Sequence, residues 1–207
     1  MQQTGTKGKD VRPCRILMLG NSLTSSNDMP LTLGKLTGAQ VVAHTRGGAR
    51  LAEHLNPATK LGAATQAALA TGGWDFVVLQ EMSHGPATKP EAYLRSVEAL
   101  CAQIRAAGAT PVVYATWGYA PDCLRLQKLG LTHHQMAALM RKACQQAAAE
   151  NGALLANPGR IFYAAGDRAL WAADGVHPSE KGSLLAAKCI AQACGFLQDE
   201  HLYESEE

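Results

Sequence analysis

Residues 15–24 read RILMLGNSLT, an apolar run that stops at Gly20 and passes into small polar residues. Consecutive apolar side chains that end at a glycine are typical of a parallel strand that is buried on both faces and followed by a loop. The pattern therefore predicts a first strand over Arg15–Leu19, with Gly20, Asn21 and Ser22 in the loop at its carboxyl end.

The rest of the chain alternates strand-like runs with helical patterns. Further strands are predicted at Gln40–Thr45, Trp74–Leu79, Thr110–Thr116 and Ala153–Ala156. Helices are predicted at Met29–Leu36, Ala49–Ala70 with a break at Pro57, Pro90–Ala107, His133–Asn151 and Ser179–Cys194. Strands separated by helices of this length are usually parallel, because the right-handed crossover places each helix on a face of the sheet. The sequence predicts an α/β protein, a three-layer α/β/α sandwich with a central parallel sheet of about five strands.

Length and composition favour a single folded unit. The chain has 207 residues, of which 47% are hydrophobic and 17% charged. This is enough for one well-buried domain and rather short for two. We expect a flexible N-terminal segment over residues 1–14, one domain over residues 15–196 and an acidic C-terminal tail over residues 197–207.

Charge and hydropathy argue against several classes of partner. The formal net charge is +2 without a long basic run, and aromatic residues make up 5% of the chain, so no nucleic-acid partner is predicted. No apolar window approaches the length of a membrane span, and residues 1–13 lack the apolar core of a signal peptide. The sequence as given predicts a cytoplasmic protein, whereas a chain trimmed of an export signal would be secreted or periplasmic.

The six cysteines have neither metal-binding nor disulfide-framework spacing. They form no Cys-x-x-Cys pair and have no histidine at zinc-finger spacing. Without an export signal, nothing implies the oxidising compartment in which disulfides persist. We expect free thiols at Cys14, Cys101, Cys123, Cys144, Cys189 and Cys194.

A serine near the N-terminus and an Asp-x-x-His near the C-terminus are a candidate nucleophile, carboxylate and base: Ser22, Asp174 and His177. A serine hydroxyl becomes a good nucleophile when an imidazole takes its proton, and a carboxylate fixes the imidazole tautomer and stabilises its charged form. Such sheets gather function at the carboxyl ends of their strands, where Ser22 is predicted to lie. Each residue also has an ordinary structural interpretation, as a helix cap or as part of a turn that opens the last helix.

The order and spacing of these residues resemble the motif blocks of the SGNH hydrolases, also called GDSL-like esterases and lipases. Gly20–Thr24 is similar to the block that carries the nucleophilic serine, with Asn in place of Asp. Asp174–His177 reproduces the Asp-x-x-His of the last block, and Arg46–Ala49 lies where the family has a glycine that donates its backbone N–H to the oxyanion. The resemblance covers roughly residues 15–195.

The resemblance implies a flavodoxin-like fold and specific roles for these residues. Ser22 would be the nucleophile, His177 the base and Asp174 the group that orients it. The backbone N–H groups of Ser22 and Gly48 would belong to the oxyanion hole, with Gly47 as the alternative to Gly48.

The third block departs from the family pattern. Most members place an asparagine side chain after the third strand as an oxyanion donor, whereas Leu79–Ser83 reads LQEMS in this chain. The Gln80 amide offers the same donors on one extra methylene, so Gln80 is predicted as the third donor. This variant resembles the branch of the family that includes sialate O-acetylesterase-like enzymes and a bacterial domain with a Gly-Asn-Ser start.

Other polar and aromatic residues are candidates for the wall of the same cleft. Glu81 and His84 follow the third predicted strand, and Trp117 and Tyr119 follow the fourth, so all four belong to carboxyl-end loops. They are predicted to line the substrate. The alternatives are a solvated carboxylate for Glu81, a surface-loop histidine for His84 and packing at the edge of the core for the two aromatics.

Together these features predict a serine esterase that hydrolyses a small-molecule or carbohydrate O-acyl ester through an acyl-enzyme. An acetylated sugar is favoured over a long-chain lipid, and the chemistry requires neither a metal nor an organic cofactor. The alternative is a non-catalytic carbohydrate- or anion-binding module on the same scaffold. A Rossmann-type nucleotide protein is disfavoured, because neither Gly-x-Gly-x-x-Gly nor a Walker lysine follows the first strand.

Overall fold

A computed structural model describes residues 12–198 and is built on one parallel sheet. Residues 1–11 of the predicted N-terminal segment and residues 199–207 of the predicted tail lie outside the described residues. The strands are β1 (Arg15–Gly20), β2 (Gln40–Thr45), β3 (Phe76–Leu79), β4 (Thr110–Tyr114) and β5 (Leu154–Ala156). Their order is β2-β1-β3-β4-β5, and all neighbours are parallel. Helices cover both faces, which confirms the predicted α/β/α sandwich.

The third strand begins at Phe76, two residues later than the sequence predicts, although the Asp75 backbone already bonds to Arg15 and Thr110 of the neighbouring strands. The indole N–H of Trp74 donates to the carbonyl of Ala68 at 2.8 Å, and the Arg15 guanidinium lies 4.1 Å from the centre of the indole ring. A carboxylate oxygen of Asp75 accepts from the backbone N–H of Arg15 at 2.8 Å. These contacts fix the entry to β3 alongside the start of β1.

The helices agree with the predicted ones where the pattern is long. Their bounds are α1 (Ser22–Ser25), α2 (Met29–Thr37), α3 (Leu51–His54), α4 (Lys60–Thr71), α5 (Gly85–Thr88), α6 (Pro90–Ala106), α7 (Arg125–Leu129), α8 (His133–Glu150), α9 (Pro158–Ala165) and α10 (Glu180–Ala193). The predicted helix Ala49–Ala70 is two helices, since Thr59 caps α4 by accepting from the backbone N–H of Gly62 at 3.0 Å. None of the helices within residues 12–198 is long and apolar enough to cross a membrane.

Alternate residues of the central strands pack into two hydrophobic cores, one on each face of the sheet. Ile16 and Met18 of β1 pack on the side of α2, α9 and α10, whereas Leu17 and Leu19 pack on the side of α3, α4 and α6. All four side chains are fully buried, so the β1 run is apolar without interruption. The next two strands in the chain, β2 and β3, lie on opposite sides of β1 in the sheet. The carboxyl ends of β1 and β3 therefore form the switch point at which such sheets bind ligands.

A buried histidine, His54, supports the loops at this end of the sheet. It ends α3, is fully buried, and its Nδ1 lies 2.9 Å from the Thr65 hydroxyl of α4. Burial lowers the pKa of His54 to about 4. The folded protein therefore keeps this imidazole neutral over a pH range in which the unfolded chain protonates it.

This difference predicts a loss of stability in mild acid. Between pH 6.5 and pH 4 the unfolded chain takes up a proton at His54 that the folded protein does not bind, so the free energy of unfolding falls as the pH falls. At about 1.4 kcal/mol per pKa unit the loss reaches about 3 kcal/mol. Urea unfolding at pH 7 and pH 4.5 measures it. His54→Gln is expected to reduce the difference in unfolding free energy between the two pH values, whereas the exposed control His134→Gln should keep it. An equal difference in the wild type and both variants would contradict the role given to His54.

Candidate active site

Five loops at the carboxyl end of the sheet surround one open cleft of about 230 Å³. Ser22 lies after β1, Gly48 after β2, Met82, Ser83 and His84 after β3, and Tyr119 and Arg125 after β4. The fifth loop, before α10, brings His177. The rest of the lining is Asn21, Leu23 and Val176.

Three of the predicted residues form a hydrogen-bonded row at the edge of this cleft. The Ser22 Oγ lies 2.9 Å from the Nε2 of His177. The Nδ1 of the same ring lies 2.6 Å from the Oδ2 of Asp174. The structure thus brings a hydroxyl to an imidazole and a carboxylate that follow it by about 150 residues in sequence.

Asp174 is held as a charged carboxylate by its own turn. Its Oδ1 accepts from the backbone N–H groups of Val176 and His177 at 2.9 and 3.0 Å, and its Oδ2 faces the imidazole. Partial burial acts to raise the pKa of Asp174, but these hydrogen bonds outweigh it and bring the pKa down to about 2. A carboxylate next to Nδ1 favours the tautomer with its hydrogen on that nitrogen, which leaves the Nε2 lone pair toward Ser22.

Asn21 fixes the loop that carries Ser22. Its Oδ1 accepts from the backbone N–H of Leu23 at 3.0 Å and so caps α1, of which Ser22 is the first residue. Its Nδ2 donates to the carbonyl of Ala49 at 2.9 Å, which ties this loop to the loop of Gly48. The sequence motif marked Asn21 as a variant position, but it carried no sign of the link to Ala49.

Asn27 joins the serine loop to the histidine loop, and sequence reasoning missed it. Its Nδ2 donates to the carbonyl of Pro178 at 3.0 Å and to the hydroxyl of Ser183 at 2.8 Å. Asn27 and Asp28 have φ of 53° and 50°, a left-handed conformation that these residue types tolerate better than most. An Asn-Asp pair after a short helix is a weak signal for such a turn. The sequence carries no signal for the partners of Asn27, which lie about 150 residues away.

Ser22 and Gly48 both line the cleft, and their backbone N–H groups have no hydrogen-bond partner within residues 12–198. Gly48 has a φ of 69°, which favours glycine, and nothing lies within 4 Å of the position where a side chain would begin. Gly47, the sequence alternative, is not among the residues that line the cleft. Two residues with free backbone donors, Ser22 and Gly48, therefore line the same cleft.

The prediction that Gln80 points its amide into the cleft is wrong. Its Oε1 accepts from the backbone N–H of Asn21 at 2.9 Å and from the Thr24 hydroxyl at 3.0 Å, and its Nε2 donates to the carbonyl of Glu81. The residue is 1% exposed and does not line the cleft. The extra methylene lets the amide reach over Gly20 to the loop after β1, where two donors need an acceptor.

Glu81 and Trp117 are also not part of the cleft wall, so these two predictions are wrong. The Glu81 carboxylate is buried, accepts from the backbone N–H groups of Leu51 and Met82 at 3.1 and 2.8 Å, and has a pKa raised by that burial. Trp117 stacks on Phe162 with ring centres 4.0 Å apart, in the core. Its indole N–H donates to the carbonyl of Val176 at 3.0 Å, so Trp117 holds the loop of His177 from the side of the core.

His84 and Tyr119 do line the cleft, and Ser83 joins them. The Tyr119 hydroxyl lies 2.8 Å from the Ser83 hydroxyl and 2.9 Å from the Nδ1 of His84. The Tyr119 ring is buried, as the alternative of core-edge packing expects, while its hydroxyl belongs to this wall. Burial, and then the positive charges of Arg50 and Arg125, lower the pKa of His84. This side of the cleft is therefore polar and uncharged, apart from Arg125.

The described residues offer no cluster suited to a metal ion. Within residues 12–198 no group of three or more His, Cys, Asp or Glu side chains is placed to hold one. The six cysteines are free thiols, and four of them are buried.

The comparison with solved structures decides the family. A Slackia heliotrinireducens protein assigned to the SGNH hydrolases is 58% identical to this chain, with a TM-score of 0.87, over 88% of this chain and all of that one. The chain belongs to the SGNH hydrolases. Neither the family models nor the curated proteins give a match.

More distant structures share the fold of this SGNH hydrolase. A DUF4886 family protein from Bacteroides uniformis is 19% identical, with a TM-score of 0.73, over 94% of this chain and 88% of that one. A catalytic serine mutant of an acetylxylan esterase from Geobacillus stearothermophilus is 14% identical, with a TM-score of 0.67, over 93% of this chain and 97% of that one. At these identities the likeness concerns the fold alone.

The new position of Gln80 predicts a loss of stability when it is replaced. Gln80→Ala leaves a buried backbone N–H, a hydroxyl and a carbonyl without partners, so we expect the free energy of unfolding to fall by about 3 kcal/mol. Urea unfolding measures this. The matched control is Gln66→Ala, which removes a half-buried glutamine outside the cleft lining and should cost less. Wild-type stability together with a hundredfold loss of turnover would instead return Gln80 to the oxyanion hole.

Proposed function

We propose that this SGNH hydrolase is a serine esterase that cleaves short O-acyl esters through an acyl-enzyme. The observation that carries the proposal is the row Ser22–His177–Asp174, with the hydroxyl 2.9 Å from Nε2 and the carboxylate 2.6 Å from Nδ1. These distances are within the reach that proton transfer between nucleophile and base requires. A non-catalytic binding module has no need of such a row.

The reaction follows from these positions. The Ser22 hydroxyl attacks the acyl carbonyl while Nε2 of His177 takes its proton, and the imidazolium is stabilised by the Asp174 carboxylate. The tetrahedral intermediate collapses as His177 returns the proton to the departing alcohol oxygen. A water molecule then attacks the Ser22 ester by the same route, which releases the acid and restores the hydroxyl.

The negative charge that develops on the carbonyl oxygen needs preorganised donors. The backbone N–H groups of Ser22 and Gly48 are the candidates, since both line the cleft and neither has a partner among residues 12–198. Removal of one such donor typically costs about 2.7 to 4 kcal/mol of transition-state stabilisation. Asn21 connects the two loops and thereby sets the spacing of the two donors.

The cleft favours a small acyl group on a polar alcohol. Its volume of about 230 Å³ fits a short acyl group. Its far wall carries hydroxyls, an imidazole and Arg125, which suit the hydroxyl groups of a carbohydrate better than a lipid. An acetylated sugar is therefore the proposed substrate, and the shared fold of an acetylxylan esterase is consistent with it.

Covalent labelling tests the nucleophile directly. A fluorophosphonate probe is expected to modify Ser22, as read by peptide mass mapping, and to leave Ser22→Ala unlabelled. The control is Ser25→Ala, which removes an exposed serine of the same helix and should label like the wild type. Hydrolysis of p-nitrophenyl acetate should follow the same pattern. A folded wild-type protein that neither labels nor hydrolyses the ester would overturn the proposal.

A further inference from the structure

The position of Gln80 leaves the cleft without the side-chain donor that the sequence predicted. Both functional groups of its amide are occupied beneath the serine loop. The backbone N–H of Met82 is also occupied, because it donates to Glu81. Of the side chains that follow β3, the Ser83 hydroxyl is the first that lines the cleft and is able to donate.

The Ser83 hydroxyl is held by a buried tyrosine. Its oxygen lies 2.8 Å from that of Tyr119, whose hydroxyl lies 2.9 Å from the Nδ1 of His84. Tyr119 is 2% exposed, and its backbone is anchored by contacts with Met136 and His133 of α8. A rigid ring thus fixes where the Ser83 oxygen lies.

The hydrogen bonds that connect Ser83, Tyr119 and His84 can run in two directions. A neutral His84 can donate from Nδ1 to Tyr119, Tyr119 can donate to Ser83, and the Ser83 proton is then free for the cleft. In the reverse direction Ser83 donates to Tyr119 and Tyr119 to His84, so the Ser83 hydroxyl has no proton left for the cleft. A negative charge in the cleft favours the first arrangement, since each hydroxyl then donates toward the charge.

We propose that the Ser83 hydroxyl is the third oxyanion donor, with Tyr119 and His84 as positioning residues that orient its proton. This inference rests on the proposed esterase activity. No covalent step is added: Ser83 donates a hydrogen bond to the carbonyl oxygen of the substrate and keeps its proton throughout. Arg125 also lines the cleft.

Steady-state kinetics on p-nitrophenyl acetate tests this role. Ser83→Ala is expected to lower kcat by about 10²- to 10³-fold with little change in KM, as for other oxyanion donors. Ser83→Thr keeps the hydroxyl and should recover most of the turnover. Ser25→Ala controls for the loss of a serine outside the cleft lining, and thermal unfolding of each variant separates a folding defect from a catalytic one.

The tyrosine supplies a second, independent variant. Tyr119→Phe removes the group that orients the Ser83 proton, so kcat should fall in the wild-type background and hardly at all in Ser83→Ala. Suppose that the wild type is labelled at Ser22 and hydrolyses the ester. Full wild-type kcat in Ser83→Ala, or additive effects of the two substitutions, would then overturn the assignment of Ser83 alone. Failure of the wild type itself to label or hydrolyse would overturn the esterase proposal, and with it the role of Ser83.

Discussion

The geometry of the cleft depends on one hydrogen-bond acceptor, the Oε1 of Gln80. It receives the backbone N–H of Asn21 and the hydroxyl of Thr24, one on each side of Ser22. The amide can approach only because residue 20 is glycine: a Cβ there would lie 2.6 Å from Oε1 and 2.5 Å from the Thr24 hydroxyl. The end of β3 therefore holds the loop after β1 in place, which lets Ser22 begin a helix with its own N–H unpaired.

The histidine loop meets this fixed loop from the other side of the cleft. Asp174 closes its own turn through two backbone N–H groups, and the same carboxylate orients the imidazole. Asn27 and Trp117 bind carbonyls on either side of His177, at Pro178 and Val176. The distance between Ser22 and His177 is thus set by the Asp174 carboxylate together with neutral hydrogen bonds to the backbone, and salt screens the neutral bonds little.

The sequence predicted those parts that depend on local patterns. Uninterrupted apolar runs and the helices between them gave the parallel sheet, and the order of the motif blocks placed Ser22, Gly48 and His177 at one cleft. Prediction from the sequence failed where a side chain could point in more than one direction. Gln80 and Glu81 lie in a loop that follows β3 at the cleft, yet both turn inward. They accept from backbone N–H groups of the loop after β1 and of α3, and no local pattern reveals these contacts. Short helices such as Ser22–Ser25 leave too few residues for a helical period.

In the proposed mechanism Ser22 carries the acyl group during turnover. An acid quench during hydrolysis of p-nitrophenyl acetate, followed by peptide mass mapping, tests it most directly. We expect an acetyl group on Ser22 that accumulates during the reaction and disappears when the ester is exhausted. Release of p-nitrophenol with an acetyl group on another residue, or with no acetylated peptide at all, would contradict it.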